Sequence, residues 1–222
     1  MSDDEIRLLW KACDEVGWPF GPMTKLLLLT GQRRNEVAHA ERKEFNLAGN
    51  DQEWVVPSTR AKNKKEHYVP LAGFAIEVIN GIPRVSKDGE VKTDAKEREL
   101  SGLLLTTNGQ TPVSGFSKGK AAIDKEMLKV ARKEAQERGG EVEDVSLDPW
   151  TLHDLRRTAA SGMARLGHPV HVVEAALNHQ SGTIRGVAKT YNRHTYAEEK
   201  RAALTEWTYL VKRIVEVSKE AS

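Results

Sequence analysis

Two short β-prone runs, "EWVVPS" from Glu53 and "EHYVPL" from Glu66, interrupt a chain whose apolar residues otherwise fall at helical spacing. Each run carries valine and an aromatic residue and is closed by a proline, Pro57 or Pro70, which lacks the N–H that a continuing ladder needs. The pattern predicts a small antiparallel sheet between Phe45 and Val69. Its connecting loop, 59–66, holds Arg60, Lys62, Lys64 and Lys65 against one acidic residue, Glu66. With helices on both sides of it, this hairpin restricts the chain to an α+β class: mainly helical, with a small antiparallel sheet.

The helical signals begin at once. Ser2 and Glu5 have the spacing of a capping box, and Ile6, Leu9, Trp10, Cys13 and Val16 follow at helical intervals. Gly17, Pro19, Gly21 and Pro22 break that pattern, and a second helix carrying "MTKLLLLT" stops at Gly31. "RRNEVAHA" reads as a short helix or turn. Beyond the sheet, 71–80 reads as a helix, 84–100 as a charged loop and "GLLLTT" as a short strand or buried segment. A helix of about 20 residues follows near Ser117, and then an acidic loop, "RGGEVEDVSLDP". A helix is expected from about Thr151 to Leu166, stopping at Gly167. The next opens at Pro169 and ends near Asn178, and "TIRGVAKTYNR" makes a third. Thr195 and Glu198 can cap the last helix, whose Ala203, Trp207, Leu210, Val211 and Ile214 form an apolar stripe. No repeat or interdomain linker divides the chain, so one domain over 1–222 is expected.

Composition narrows the function classes. No apolar run reaches the roughly 18 residues of a membrane span, and the acidic start, "MSDDEIRLLW", lacks the order of a signal peptide. Cys13 is the single cysteine, which excludes an intrachain disulfide and a thiolate zinc site. His168, His171 and His179 lack a carboxylate or thiolate to complete a metal centre, so capping and surface roles are expected of the first two, and no metal or cofactor. These features fit a cytosolic protein. The net charge of +2, from 34 basic and 32 acidic residues, says little about nucleic acid. Its distribution says more: cations cluster in the hairpin loop and in "HDLRR", and acids in "SDDE" and "GGEVEDVSLD", so a basic face can exist at a modest total.

Four stretches can carry chemistry. "TLHDLRRTAASGMARLG" places His153 and Arg156 three apart at a helix N-terminus, where free amides and the dipole favour an anion. A guanidinium that grips two oxygens and an imidazole that moves a proton would make this a phosphate site. Alone, it reads as well as a capped helix with solvated arginines. "TGQRRNEV" sets Arg33 and Glu36 at (i, i+3), either an oriented guanidinium or a weak surface pair. Lys62 in the hairpin loop can reach a phosphate or a leaving oxygen, or remain solvated. In "LNHQSGTIRGVAKTYNR", His179 follows an apolar helix end and Tyr191 comes 12 residues later, a position as suited to a core tyrosine as to a nucleophile.

Taken in order, Arg33, Lys62, His153, Arg156, His179 and Tyr191 resemble the signature of the tyrosine recombinases, the phage-integrase family. "LLLLTGQRRNEV" is similar to the first-arginine motif, "WVVPSTRAKNKKEHYVPL" to the lysine hairpin and "TLHDLRRTAASGMARLG" to the His-x-x-Arg box. "LNHQSGTIRGVAKTYNR" resembles the second-histidine and tyrosine segment of integrases from prophages and genomic islands. The resemblance runs from Ser2 to about Trp207.

It implies a catalytic domain that cuts and rejoins DNA without metal or cofactor. Tyr191 would be the nucleophile, forming a 3′-phosphotyrosyl bond; Tyr196, which follows a helix cap, is the less suited of the two tyrosines. Arg33 and Arg156 would stabilise the charged transition state, and Lys62 would protonate the leaving 5′-oxygen, with Lys64 and Lys65 as nearby competitors. His153 would assist proton movement, His179 would bind the phosphate and Glu36 would support the cationic residues. Arg60, Lys64, Lys65 and Arg157 are the expected DNA contacts. The implied partners are a double-stranded attachment site, a homotetramer in the synaptic complex formed from free monomers, and accessory DNA-bending or excisionase proteins. The core-binding clamp and arm-binding domains that usually precede this domain have no counterpart here, so a fragment or truncated integrase is expected. The helix over 196–216 could dock on a neighbouring copy or on its own domain.

Overall fold

The computed structural model describes residues 1–91, 99–179 and 196–216. In chain order its elements are α1 (Asp3–Val16), α2 (Phe20–Thr30), α3 (Arg34–Ala38), a 3-10 turn (Arg42–Glu44), β1 (Phe45–Asn46), β2 (Glu53–Val56), β3 (His67–Pro70), α4 (Gly73–Asn80), α5 (Phe116–Glu137), α6 (Leu152–Arg165), α7 (Val170–Ala176) and α8 (Ala197–Glu216). At the centre lies α2, which buries Met23 and all four of Leu26, Leu27, Leu28 and Leu29. A helix with no polar face is stable only when covered on every side. Here α1, α4, α6 and α8 provide the cover.

The expected Ser2–Glu5 capping box starts α1, with Ser2 Oγ accepting the Glu5 N–H and Glu5 Oε2 accepting the Ser2 N–H. Its predicted inner face is buried at Ile6, Leu9, Trp10 and Cys13. The outer part of α1 is tied to α5 by Glu134, which takes two bonds from Arg7 (2.5 and 2.7 Å) and one from Lys11 (3.0 Å). The Arg7 hydrogen bonds hold the Glu134 carboxyl down to about 2.

The sheet is antiparallel, in the order β1-β2-β3, with Val56 opposite His67 and Glu53 opposite Pro70. Residues 57–66 therefore form the loop between β2 and β3, as the two prolines suggest. β1 is an addition to the expected pair: Phe45 pairs with Trp54 and stacks on its ring at 5.3 Å. "GLLLTT" proves to be a buried segment, with Leu104 and Leu105 in the core and an isolated bridge between Glu41 and Leu103.

The last helix packs on its own chain. Ala203, Leu204, Trp207, Val211 and Val215 are buried, and Trp207 Nε1 donates to the Leu28 carbonyl (2.9 Å). At its start, Lys200 Nζ donates to the Tyr68 carbonyl of β3 (3.0 Å). The expected helix over "TIRGVAKTYNR" and the cap residue Thr195 lie outside the described residues. No described helix is long and apolar enough to cross a membrane.

Candidate active site

The buried helix α2 delivers the first-arginine stretch. Gly31 ends it in the left-handed region (φ 63°), with its N–H on the Leu27 carbonyl. A Cβ at Gly31 would lie 2.5 Å from Leu177 Cδ2, so close approach and backbone conformation both call for glycine. Gln32 is buried, and its Nε2 donates to the carbonyls of Thr30 (2.8 Å) and Ala176 (3.0 Å). Arg33 then leads into α3. Buried Glu36 accepts both the Arg33 N–H (3.0 Å) and Arg33 Nη1 (3.1 Å), so the (i, i+3) spacing produces an oriented guanidinium.

The C-terminal end of α7 gathers the rest. Asn178 adopts φ 50°, its N–H donates to Ala175 O (3.2 Å), and the His179 N–H donates to Glu174 O (2.8 Å). These are the two bonds of a Schellman closure, with asparagine in the place glycine usually takes. The remaining carbonyls carry the negative end of the helix dipole and attract donors. Ala176 O accepts from Gln32 Nε2 and from His67 Nε2 (3.1 Å). Leu177 O accepts from Arg156 Nη2 (2.6 Å), and Asn178 O from Arg33 Nη2 (2.9 Å). A carbonyl only accepts, so His67 holds its proton on Nε2. Burial, with the charge of Lys200 adding to it, pushes the His67 pKa down to about 3 and leaves the ring neutral.

The His-x-x-Arg stretch forms the first turn of α6. Asp154 caps it by accepting the Thr151 N–H (2.8 Å) and also pairs with the exposed Arg157 (3.0 Å). Arg156 points inward and is buried. Its other arm, Nη1, donates to Gly31 O (2.7 Å), so one guanidinium ties the ends of α2 and α7 together. Burial, and then the charge of Arg33, lower its pKa to about 10, which still leaves it cationic at neutral pH.

Arg33, Lys62, His153 and Arg156 line one cleft of about 780 Å³, walled by Phe116, Lys120 and Trp150. His153 and Arg156 also line an adjoining pocket of about 460 Å³, which His179 completes. The two spaces bring five of the six signature residues together; the sixth, Tyr191, lies outside the described residues. Arg34 and Lys120 add to these cations, against one lining carboxylate, Asp124, which is paired with Lys120, so the cleft is electropositive and suited to an anion. Lys62, Lys64 and Lys65 are exposed on the hairpin, but of the three only Lys62 lines the cleft. Arg60 departs from the exposed DNA contact expected of it. It turns inward, with Nη1 on Glu36 O (2.9 Å) and Nη2 paired with buried Glu44, because that carboxylate lies beneath the loop. Tyr196 packs on the His171 ring at 5.1 Å and His168 meets Glu206 at 3.1 Å, both away from the cleft.

Sequence reasoning missed Gln32, Asn63, His67 and Asn178. Only Asn178 carried a readable signal, since asparagine just past an apolar helix end marks a left-handed closing position.

Comparisons with known proteins identify the family. The phage integrase family matches residues 1–198. Prophage integrase IntA of Escherichia coli (strain K12) is 28% identical over 185 residues, 83% of this chain and 37% of that protein, so the chain spans just over a third of this relative's length. In fold, the chain is similar to the XerH site-specific recombinase bound to difH substrate in a pre-cleavage complex, with TM-score 0.51, 18% identity, and 82% of this chain and 47% of that one covered. A post-cleavage XerH complex with palindromic difH gives TM-score 0.50 at 17% identity, covering 99% and 52%. With its first 198 residues matched as one stretch, the chain belongs to the phage integrase family.

Proposed function

We propose that this chain is the catalytic domain of a site-specific DNA recombinase that breaks and rejoins a phosphodiester through a tyrosyl intermediate, for integration or excision of a mobile element. The observation that carries the reading is the convergence of Arg33, Lys62, His153 and Arg156 on one electropositive cleft, with His179 in the space beside it.

In this reading the phenolic oxygen of Tyr191 attacks phosphorus, the bond from phosphorus to the 5′-oxygen breaks, and the 3′ end remains on the tyrosine. The phenolic proton passes to His153 and the Lys62 ammonium gives a proton to the departing oxygen, so both proton transfers are accounted for. Arg33 and Arg156 face the charge that builds on the nonbridging oxygens. Each is held by carbonyls and, for Arg33, by Glu36, so little reorganisation is needed when the charge develops. His179 hydrogen-bonds the phosphate. Lys64, Lys65 and Arg157 contact the flanking backbone. Rejoining reverses these steps and needs no external energy source, because the phosphoryl bond is conserved on the tyrosine. A double-stranded attachment site, a synaptic homotetramer and accessory DNA-bending or excisionase proteins complete the reading, as does a clamp domain on the opposite face of the DNA.

The test is covalent trapping. Duplexes with a nick beside a randomised core are incubated with the chain at low salt, and adducts that survive detergent are isolated and mapped by mass spectrometry. A 3′-linked adduct at Tyr191 that is lost in Tyr191→Phe supports the reading. Binding without any adduct makes the chain a DNA-binding relative that does not cut, and an adduct in Tyr191→Phe removes Tyr191 as the nucleophile. Relaxation of supercoiled plasmid without a defined site would instead favour a topoisomerase-like activity.

A further inference from the structure

We propose that Asn178 latches the lysine hairpin to the arginine pair through Asn63, and so acts as a positioning residue for proton donation by Lys62. This rests on the reading of Lys62 as the general acid.

Lys62 is exposed on the loop between β2 and β3, and four rotatable bonds separate its ammonium from the main chain. Where that ammonium sits in the cleft depends on where the loop tip is held. Asn63, the next residue, fixes the tip. Its Oδ1 accepts the Lys65 N–H (3.2 Å), which shapes the turn and directs its Nδ2 outward. Nδ2 donates to Asn178 Oδ1 (2.6 Å), and Asn178 Nδ2 stands 3.5 Å from Asn63 Oδ1. The bond crosses 115 residues of sequence, from the hairpin to the end of α7.

Asn178 therefore serves two groups at once. Its carbonyl accepts from Arg33 Nη2, and its side chain holds the residue beside Lys62. Its residue type supports the assignment. Glycine adopts φ 50° with less strain and would supply the same N–H and carbonyl, so the main chain alone does not call for asparagine. What asparagine adds is the side-chain amide, and that amide is spent on Asn63. The latch is neutral, so it brings the hairpin close without offsetting the positive charge a phosphate would meet.

The experiment compares wild type, Asn178→Gly, Asn63→Ala and Lys62→Ala on two nicked duplexes with identical sequence. One has the natural 5′-oxygen at the scissile position and the other a bridging 5′-sulfur. A thiolate, with a parent pKa of about 8.5, departs without a proton donor, whereas an alkoxide does not. Asn178→Gly keeps the helix closure and the Arg33 acceptor. It should slow cleavage of the oxygen substrate about 10- to 100-fold, the size of effect a small misplacement of a reacting group produces. It should cleave the sulfur substrate within about twofold of wild type. Asn63→Ala should behave alike, and the double variant should be no slower than either single, because both remove the same bond.

If sulfur fails to rescue Lys62→Ala, Lys62 is not the acid and the positioning role falls with it. If sulfur rescues Lys62→Ala but Asn178→Gly is slow on both substrates, or on neither, the latch is overturned and the recombinase reading stands. Hydrogen exchange gives a readout independent of cleavage. The Lys65 amide should exchange about tenfold faster in Asn178→Gly with the urea midpoint unchanged, and equal exchange in the two proteins would also overturn the latch.

Discussion

Trp207 fills the space that any side chain on Gly162 would need: a Cβ there would lie 2.2 Å from Trp207 Cζ3. Trp207 cannot withdraw, because it is 1% exposed and its indole N–H is bonded to the Leu28 carbonyl. Gly162→Ala should therefore destabilise the fold by about 2 kcal/mol through overpacking, even though alanine is the better helix former by about 1 kcal/mol. Urea unfolding of the two proteins measures this, and an unchanged or raised midpoint would show that α6 and α8 separate at little cost.

Arg156 spans two carbonyls, Gly31 O and Leu177 O, that a single ammonium cannot serve in the same way. Arg156→Lys should retain the fold by circular dichroism, with a melting temperature a few degrees lower. Covalent adduct formation should fall about 10²- to 10³-fold, as expected for the loss of a fixed donor to developing charge. Near-wild-type trapping by the lysine variant would mean that charge alone, without the fork, is sufficient.

His67 titrates at about 3 in the fold and near 6.5 when unfolded. Below about pH 6.5 the unfolded chain takes up a proton that the folded chain refuses, so this group's contribution is fully present above that pH and is lost as pH falls from 6.5 towards 3. Urea midpoints at several pH values should drop less steeply on the acid side in His67→Gln than in wild type, since glutamine can still donate to Ala176 O. Parallel curves would show that the ring accepts its proton inside the fold.

The hairpin cations should separate into two classes in a DNA-binding titration against salt. Lys64→Ala and Lys65→Ala should each reduce the slope of log affinity against log salt by about 0.9, the signature of one lost phosphate contact. Arg60→Ala should leave the slope unchanged and lower thermal stability instead, because its guanidinium is committed to Glu44 and the Glu36 carbonyl. A reduced slope for Arg60→Ala would place that arginine on the DNA.

The contrast between Arg60 and Lys64 marks the limit of what the sequence alone reveals. Both belong to one charged run, and nothing in the run announces that Glu44 lies beneath the first of them. Features set by local chemistry were readable: the Ser2–Glu5 box, the closing prolines of the hairpin, the stop at Gly31 and the head of α6. The order of the signature residues carries information that single residues do not, and five of the six, all but Tyr191, line the cleft and the pocket beside it. β1 was hidden because two residues have no periodicity. Gln32 and His67 were hidden for a different reason. Their partner is the main-chain carbonyl of Ala176, and every residue type offers the same carbonyl, so a donor aimed at one leaves no trace at the receiving position. The central place of α2 follows from its four leucines, but which helices cover it depends on long-range packing that no local pattern encodes.

Arg33 and Arg156 repel each other beside the cleft, and this repulsion adds to burial in lowering the Arg156 pKa. This repulsion is a cost that the carbonyl bonds of both arginines and the Glu36 pairing of Arg33 must offset. Any anion that settles between them relieves the cost. By mass action, an anion at 100 times its dissociation constant would raise the unfolding free energy by about 2.7 kcal/mol. The protein should thus be at its least robust when idle and at its firmest when gripping a phosphate, so heat resistance and readiness to act draw on the same two side chains.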